Sequence, residues 1–366
     1  MHNTTLKLIN DDILETLNEF FKSLFEKKII DALLVPQETS LGTSCVHTLV
    51  KDPSQIKRAD PIAPIQLVNA ARLVSDLTAW NPGQIIGVVL RPCEIRALIE
   101  LVKFKQATLD DIVIIGVDCM GTFEPTDYKG MVEENKESIT EDFLDGKLFE
   151  KGHRLRQACQ VCEYPVPEGT QLTIGIIGVD RKKGLLLQVS DELMGKLGLK
   201  GNKTSAMREK AVRELISERS KKKQEVLQES RERFGQLDNF LREFIDCKRC
   251  SNCRVECPIC YCKECIFLTP VFEHKPNEYL KWAQRKGAIK LPYETILYHL
   301  TRLNHMATSC IECGQCSSAC PNNLPVFELF HLIGGEVQKV FDYVPGRNIE
   351  EEPPIVTFKE DELESL

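Results

Sequence analysis

The sequence predicts an α/β N-terminal domain followed by a second, all-helical domain. Two β-branched and almost continuously apolar runs, residues 84–90 and 111–117, are typical of buried parallel strands. The stretch between them has the apolar spacing of a helix, and strand, helix, strand is the signature of a parallel α/β sheet. After residue 246, the apolar spacing indicates only helices.

The other elements of the first half follow from the same patterns. Apolar residues recur at three- and four-residue steps in the first helix, and Pro36 ends the strand after it. Two further apolar runs suggest a hairpin across "RKKG". In chain order we predict helix 11–30, strand 31–36, helix 64–79, strand 84–90, helix 93–104, strand 111–117, and strands 172–180 and 184–190.

The second half changes character at residues 205–245, which are dense in Arg, Lys and Glu. This stretch predicts a long exposed helix or helix pair, which either links two domains or docks a partner. Helices are predicted beyond it at 277–287, 293–310 and 325–341. The predicted domains are an α/β domain at 1–204, a charged connecting helix at 205–245, a helical domain at 246–342 and an acidic extended tail at 343–366.

Composition narrows the class of protein. The chain has 366 residues, enough for two domains, and a net charge of −7, which argues against nucleic acid as a partner. The N-terminus shows no signal-peptide pattern, and no apolar run is long enough to span a membrane. With 16 cysteines, a cytoplasmic protein whose reduced thiolates bind metal is expected.

Two copies of the motif CxxCxxCxxxCP carry the strongest signal. This spacing binds 4Fe-4S clusters, and in two-cluster proteins the fourth cysteine of each motif ligates the other cluster. A zinc site would need only four cysteines, usually as two separated pairs. The predicted ligand sets are Cys247, Cys250 and Cys253 with Cys320, and Cys310, Cys313 and Cys316 with Cys257.

The two motifs are far apart along the chain, with 52 residues between Cys257 and Cys310. Much of this interval has a helical pattern, unlike a compact bacterial ferredoxin. Residues 240–342 thus resemble the all-helical ferredoxin domain of heterodisulfide reductase small subunits and succinate dehydrogenase iron–sulfur subunits. The resemblance implies an alpha-helical dicluster ferredoxin domain.

Three cysteines fall outside these motifs: Cys260, Cys262 and Cys265, in "CYCKEC". They are interpreted as packing thiols, as ligands of a further metal, or as exposed redox-active thiols. In an extended chain the side chain of Cys265 points away from the other two. Convergence of all three on one metal is therefore not expected from geometry alone.

Four more cysteines are dispersed through the α/β half. Cys93 and Cys119 each follow a predicted parallel strand, at the edge where open α/β sheets place their sites. Cys159 and Cys162 form a CxxC pair. Together the four could bind a 4Fe-4S cluster or a zinc ion, and Cys93 and Cys119 taken singly are also compatible with core thiols.

The stretches "LRPCEIRALIELVKF", "IIGVDCMGT" and "CQVCEYPVPEGTQLTIGIIG" resemble the beta subunits of coenzyme F-420 hydrogenases and F-420-linked formate dehydrogenases. The resemblance covers residues 20–190. It implies FAD with a 4Fe-4S cluster beside it, on Cys93, Cys119, Cys159 and Cys162. With the two motif clusters, three 4Fe-4S clusters are expected.

The flavin has no decisive motif, because no GxGxxG opens a strand–helix–strand unit. The loop "TSLGT" has hydroxyls and a flexible backbone suited to phosphate. A second loop, 58–71, occupies the place of the family's Gly-Ser-Lys flavin loop but lacks that sequence. For each candidate, a turn or cap role is the alternative. The candidate flavin contacts are Thr39, Ser40, Gly42, Thr43, Asp60, Pro61, Asn69 and Arg91.

These features predict an electron-transfer subunit of a larger redox complex and no separate acid–base site. A flavin would convert the two-electron chemistry of coenzyme F-420 or NAD(P)H into one-electron transfer through the clusters. The expected partners are redox subunits of formate dehydrogenase, hydrogenase or heterodisulfide reductase type. The alternatives are a flavin-free iron–sulfur protein that links two enzymes, and an α/β half that is a zinc-stabilised scaffold.

Overall fold

The computed structural model describes residues 1–79, 83–134, 139–199, 206–262, 264–270, 275–287 and 294–358. The chain forms two compact units. The first contains Met1–Val226, Ile311–Gly314 and Pro345–Glu352, and the second contains the rest of the chain. The predicted boundary at residue 204 and the tail beyond residue 358 lie outside the described residues, and the predicted domain limits stay predictions.

The first unit is built on a seven-stranded sheet in the order β1-β7-β6-β5-β4-β2-β3. Strands β2, β4, β5 and β6 are parallel, and β3, β7 and β1 are antiparallel additions at the two ends. The predicted α/β fold is therefore confirmed. The strands are β1 His2–Leu6, β2 Ala32–Glu38, β3 Cys45–Val50, β4 Ile86–Leu90, β5 Ile112–Val117, β6 Leu172–Gly175 and β7 Leu185–Val189.

The strands agree with the sequence in the centre of the sheet and differ at its margins. The predicted runs 84–90 and 111–117 become β4 and β5, whose residues are almost all buried. The hairpin of β6 and β7 is present, although β6 ends at Gly175 rather than residue 180. Strands β1 and β3 were not predicted, because edge strands are half exposed and lack a continuous apolar run.

Helices cover the sheet of the first unit. α1 begins at Asp12, whose carboxylate accepts from the backbone N–H of Glu15 at 2.8 Å, an N-cap. The helices are α1 Ile13–Glu26, α2 Ala71–Ala79, α3 Pro92–Lys103, α4 Pro125–Glu134, α5 Ile139–Leu144, α6 Lys147–Glu150, α7 Gln157–Gln160, α8 Asp191–Leu197 and α9 Ala206–Phe234. The last of these enters the second unit after Val226.

The apolar core of the first unit lies between α1 and the sheet. Leu17, Phe21 and Leu24 of α1 are fully buried against strand residues such as Leu33 and Ile115. A smaller cluster around Phe123 and Phe143 lies under α4 and α5. Burial of this many large apolar side chains gives the sheet a rigid frame, which fixes the loops at its carboxyl edge.

The second unit contains helices and, among its described residues, no strand. Its helices, besides the end of α9, are α10 Leu237–Glu243, α11 Asn252–Val255, α12 Pro276–Lys286, α13 Glu294–Met306, α14 Gln315–Ser318 and α15 Val326–Val340. The predicted stretch 205–245 becomes α9 and α10. Nowhere in the described chain is a helix both long and apolar enough to cross a bilayer.

A buried ion pair fastens α9 to the sheet. Both guanidinium nitrogens of Arg208 donate to the carboxylate of Asp118, at 2.5 and 2.9 Å. The same carboxylate accepts from the backbone N–H groups of Ile176 and Ile177, and both charged side chains are buried. Asp118 directly follows β5 and precedes Cys119, so this pair also holds a candidate ligand in place.

Replacing Arg208 with Met leaves the Asp118 carboxylate buried without its partner. We expect the free energy of unfolding to fall by about 3–5 kcal/mol, because an unpaired buried charge is costly. Anaerobic urea denaturation followed by circular dichroism measures this. The control is Lys210→Met on the same helix, whose ion pair with Glu214 is exposed and is worth less than about 1 kcal/mol. Equal losses in the two variants would contradict the assignment.

Candidate functional site

Two candidate cysteines lie at the carboxyl edge of the sheet. Strands β4 and β5 are adjacent and parallel, with Leu90 opposite Gly116. Cys93 lies in the first turn of α3, three residues after β4, and Cys119 lies two residues after β5. The crossover from β4 through α3 to β5 therefore brings the two thiols to the same edge, as open α/β sheets do with their functional groups.

The CxxC pair lies at the same place. Cys159 is on the short helix α7, and Cys162 follows it by three residues. Both line one pocket together with Cys93 and Cys119, here called the cysteine cavity. The structure therefore gathers all four candidate ligands of the α/β half around a single pocket.

A fifth cysteine lines the cysteine cavity, and sequence reasoning missed its position. Cys313 belongs to the second ferredoxin motif, but the segment Ile311–Gly314 is part of the first unit. Gly314 has a φ of +73°, and a Cβ there would lie 2.4 Å from the Cβ of Ala158, next to Cys159. The segment therefore fits against α7 only with glycine at this position.

Positive charge surrounds the cysteine cavity. Arg91, Arg156 and Arg219 line it and are all buried. Arg156 donates to Sγ of Cys159 at 3.7 Å. Arg219, on α9, donates to the carbonyl oxygens of Cys162 at 3.2 Å and Met120 at 2.7 Å, which ties the helix to both cysteine loops.

Burial governs the protonation of these thiols. It raises the pKa of Cys93 and Cys162 above the usual value, and that of Cys119 to about 11. Burial acts the same way on Cys159, but the Arg156 guanidinium and hydrogen bonds from Thr122 and Arg156 outweigh it and lower its pKa. Free of metal, most of these thiols are therefore protonated at neutral pH.

The donor set fits an iron–sulfur cluster. Four thiols converge on one buried pocket, and the buried guanidinium groups offset the negative charge that four cysteine thiolates and a cubane carry. Two further groups contact the sulfur atoms: the Gln66 amide donates to Cys93 at 3.6 Å, and the Thr122 hydroxyl lies 3.4 Å from Cys159. In the described chain, no three His, Cys, Asp or Glu side chains are grouped to hold a single metal ion.

The second unit has a comparable pocket. Cys247, Cys250, Cys253 and Cys320 all line it, which is the first crossed ligand set that the motif spacing predicts. Cys247 and Cys253 are buried, whereas Cys250 is exposed. The other predicted set, Cys257, Cys310, Cys313 and Cys316, consists of half-buried thiols. Both sets stay predictions of the ligation.

Helix α13 supplies three polar side chains to the first of these sets. The Tyr298 hydroxyl lies 3.6 Å from Sγ of Cys253, and Nε2 of His299 lies 3.4 Å from Sγ of Cys247. Arg302 donates to Sγ of Cys253 at 3.2 Å. Burial lowers the pKa of His299 to about 3, so its ring is neutral. These three residues have no motif, and sequence reasoning did not find them.

A larger cavity, here called the N-terminal cavity, opens beside α1 and measures about 670 Å³. Of the predicted flavin contacts, Gly42 and Asp60 line it. The Asp60 carboxylate accepts from the backbone N–H groups of Ile62 and Ala63 and from the Thr140 hydroxyl. Burial raises the pKa of Asp60. Three basic side chains line the same cavity, Lys22, Lys57 and Arg58, together with six acidic ones, Asp12, Glu15, Glu19, Glu38, Asp60 and Glu141.

The other predicted flavin contacts are dispersed. Ser40 is exposed, Thr43 is half-buried and Pro61 is buried. Oγ1 of Thr39 and Nδ2 of Asn69 are buried polar atoms without a hydrogen-bond partner among the described residues. The Asn69 carboxamide oxygen accepts from the backbone N–H of Ala71 at the start of α2. Arg91 donates to the carbonyl oxygens of Ala63 and Ile65, both at 2.6 Å.

The cysteines of "CYCKEC" remain without a ligand assignment. Cys260, Cys262 and Cys265 are all half-buried. Burial raises the pKa of the Cys260 thiol to about 11, which leaves it protonated and unreactive at neutral pH. This favours the packing interpretation for Cys260.

Comparison with known proteins decides the family of the central region. Residues 83–233, which span β4 to α9, match the family model for the C-terminal region of the beta subunits of coenzyme F420 hydrogenase/dehydrogenase. The match covers 151 of the chain's 366 residues. The resemblance that the cysteine stretches predict is therefore confirmed.

Two relatives extend the similarity over most of the chain. The F420-dependent formate dehydrogenase subunit beta of Methanocaldococcus jannaschii is 26% identical over 359 residues, covering 89% of this chain and 90% of the relative. The F420-dependent formate dehydrogenase 1 subunit beta of Methanococcus maripaludis is 27% identical over 376 residues, covering 91% and 90%. The chain is thus similar to redox subunits of oxidoreductase complexes.

A solved structure shows a weaker likeness. A chain of the F420-reducing [NiFe] hydrogenase complex from Methanosarcina barkeri, solved as a xenon derivative, matches with a TM-score of 0.48 and 14% identity. The match covers 65% of this chain and 94% of that one. It is too distant to support an argument about this chain.

Gly121 provides a test of the cysteine cavity. Its φ is +113°, and a Cβ there would lie 2.6 Å from Cδ1 of Leu155 and 3.2 Å from Cβ of Cys159. We expect Gly121→Ala to displace Cys119 from Cys159 and to remove about four irons per chain, the content of one cubane. Iron analysis of anaerobically purified protein measures this. Gly130→Ala is the control, since nothing lies within 4 Å of its Cβ. Full iron in Gly121→Ala would contradict this assignment.

Proposed function

We propose that the chain is the flavin-dependent electron-transfer subunit of a larger redox complex, of F420-dependent formate dehydrogenase type. The observation that supports this most is the cysteine cavity. It joins Cys93, Cys119, Cys159 and Cys162 to Cys313, a cysteine of the second ferredoxin motif. A cluster bound there would lie beside a ligand of the next cluster, as one-electron transfer in sequence requires.

Three 4Fe-4S clusters would be held by twelve cysteines in this proposal. Cys93, Cys119, Cys159 and Cys162 bind the cluster of the α/β unit. The two ferredoxin motifs bind the other two in the crossed sets that their spacing predicts, within an all-helical ferredoxin domain. The pocket shared by Cys247, Cys250, Cys253 and Cys320 supports the first crossed set.

The flavin is proposed to bind in the N-terminal cavity. Its volume of about 670 Å³ lies in the usual range for cofactor sites. The pyrophosphate of FAD would pair with Lys57 and Arg58, at a distance from the carboxylates that also line the cavity. Ala63 connects this cavity to the cysteine cavity. Its backbone N–H donates to Asp60, which lines the N-terminal cavity, and its carbonyl accepts from Arg91, which lines the cysteine cavity. The two sites are therefore neighbours in one unit.

Bound FAD supplies a centre that accepts two electrons together and releases them singly. A reduced carrier would give up two electrons there as a hydride. Its oxidation would release two protons to water if the carrier is reduced coenzyme F-420, and one if it is NAD(P)H. Clusters held by the chain's cysteines would pass the two electrons, one at a time, to a partner redox subunit, which would be reduced. The reverse flow oxidises the partner and reduces the carrier. Coenzyme F-420 is the favoured carrier, because both relatives are F420-dependent formate dehydrogenase subunits.

The proposed partner is a catalytic or electron-accepting subunit of formate dehydrogenase, hydrogenase or heterodisulfide reductase type. The names of the two relatives favour formate dehydrogenase. We place the complex in the cytoplasm, where sixteen cysteines stay reduced and able to bind iron.

Metal and flavin analysis of anaerobically purified protein tests the whole proposal. We expect about twelve irons, four for each cluster, no zinc and about one FAD per chain. About eight irons with one zinc would instead indicate a zinc-stabilised scaffold. Twelve irons without flavin would overturn the flavin chemistry and leave an iron–sulfur protein that links two enzymes.

Cysteine variants test the position of the α/β cluster in the electron path. We expect Cys162→Ala to lose about four irons, and its flavin, once reduced by the carrier, to stay reduced because its outlet is gone. Stopped-flow absorbance measures flavin reoxidation by an artificial acceptor such as benzyl viologen. Cys260→Ala is the control, a half-buried cysteine outside all the predicted ligand sets and outside both cavities. Wild-type reoxidation in Cys162→Ala would remove this cluster from the path.

A further inference from the structure

Arg302 of α13 is a buried cation in the second unit, with only 3% of its surface exposed. Its Nη1 donates to Sγ of Cys253 at 3.2 Å, and its Nη2 donates to the carbonyl oxygen of the same residue at 2.9 Å. Its guanidinium also lies over the ring of Phe330, 4.8 Å from the centroid. The guanidinium of Arg302 is thus held by hydrogen bonds from Nη1 and Nη2 and by the Phe330 ring on one face.

No carboxylate among the described residues lies within salt-bridge distance of Arg302. A buried guanidinium without a counter-charge is costly, so its partners must be other anions. Arg302 contacts Cys253, and it lies close enough to Cys257 and Cys316 for thiolates at those positions to act on it. By the motif spacing, Cys253 is a ligand of one predicted cluster, and Cys257 and Cys316 are ligands of the other.

One donor of Arg302 remains to be satisfied. Its Nε–H is buried and has no hydrogen-bond acceptor in the described part of the chain. Buried donors almost always find an acceptor, and a sulfide of an iron–sulfur cluster is one of the right kind. The neighbouring side chains that reach these thiols, Tyr298 and His299, are neutral, so they add hydrogen bonds but no charge.

We propose that Arg302 sets the reduction potentials of both ferredoxin-type clusters at once, by holding one fixed positive charge against ligands of each. This rests on the proposed function, which supplies the two clusters. Reduction adds one electron, and hence one negative charge, to a cluster. A nearby guanidinium stabilises that charge and raises the potential. A shared cation keeps the two potentials close, so neither cluster traps the electron.

Redox titration of the full chain, monitored by electron paramagnetic resonance, tests the proposal through potentials rather than activity. We expect R302Q to move both ferredoxin-type clusters to more negative potentials, while the cluster held by Cys93, Cys119, Cys159 and Cys162 is unchanged. R233Q is the control: Arg233 is in the same unit, but it is 42% exposed and paired with Glu243. We expect wild-type potentials there.

R302K separates charge from structure. The lysine ammonium keeps the positive charge but cannot make both hydrogen bonds to Cys253. Both cluster potentials should therefore fall relative to wild type, but by less than in R302Q. If R302Q is iron-poor, it is reconstituted with ferrous iron and sulfide, and R302K is titrated in any case. Unchanged potentials in a fully loaded variant, or a shift of one cluster alone, would overturn the role of Arg302. A wild-type protein without these two clusters would overturn the proposed function instead.

Discussion

The constraint on which this structure depends is the cost of burying the negative charge of cysteine thiolates. The proposed clusters, each held by four thiolates, would carry net negative charge into a region of low dielectric constant, where an uncompensated charge is very costly. In the first unit, the buried positive charges of Arg91, Arg156 and Arg219 lie around the cysteine cavity and would compensate it. In the second unit, Arg302 has this role beside Cys253. In the iron-free chain, burial raises the pKa of Cys93, Cys119 and Cys162, so a cluster bound by these thiols would have to displace their protons.

Strand pairing and one anchored helix bring the cysteines and arginines of the first unit together. Parallel pairing of β4 and β5 brings Cys93 and Cys119 to one edge of the sheet. Helix α9 then crosses that edge, held by the buried pair of Arg208 and Asp118, and Arg219 on the same helix reaches the cysteine loops. A regular sheet and one anchored helix thus convert separated stretches of sequence into a single site.

The sequence alone could predict what depends on local pattern and fixed spacing. Buried strands β4 and β5, the cysteines that follow them and the two ferredoxin motifs all have such a signature. Arg156, Arg219 and Arg302 have none, because they look like any other cation until the fold buries them. Nor could the motif show that Cys313 lines the cysteine cavity, since that depends on long-range packing of Gly314 against Ala158. Of the flavin contacts predicted from the sequence, only Gly42 and Asp60 line the N-terminal cavity, because α1 and the other elements that form it are far apart in the chain.

The central claim is that electrons enter the protein at a flavin and pass from the flavin to the cluster of the cysteine cavity. Rapid mixing with reduced coenzyme F-420, followed by freeze-quench electron paramagnetic resonance and flavin absorbance, tests it most directly. The account predicts that the flavin bleaches first, that the cluster of the cysteine cavity is reduced next, and that the ferredoxin-type clusters follow. Reduction of the clusters while the flavin stays oxidised, or without any flavin present, would contradict it.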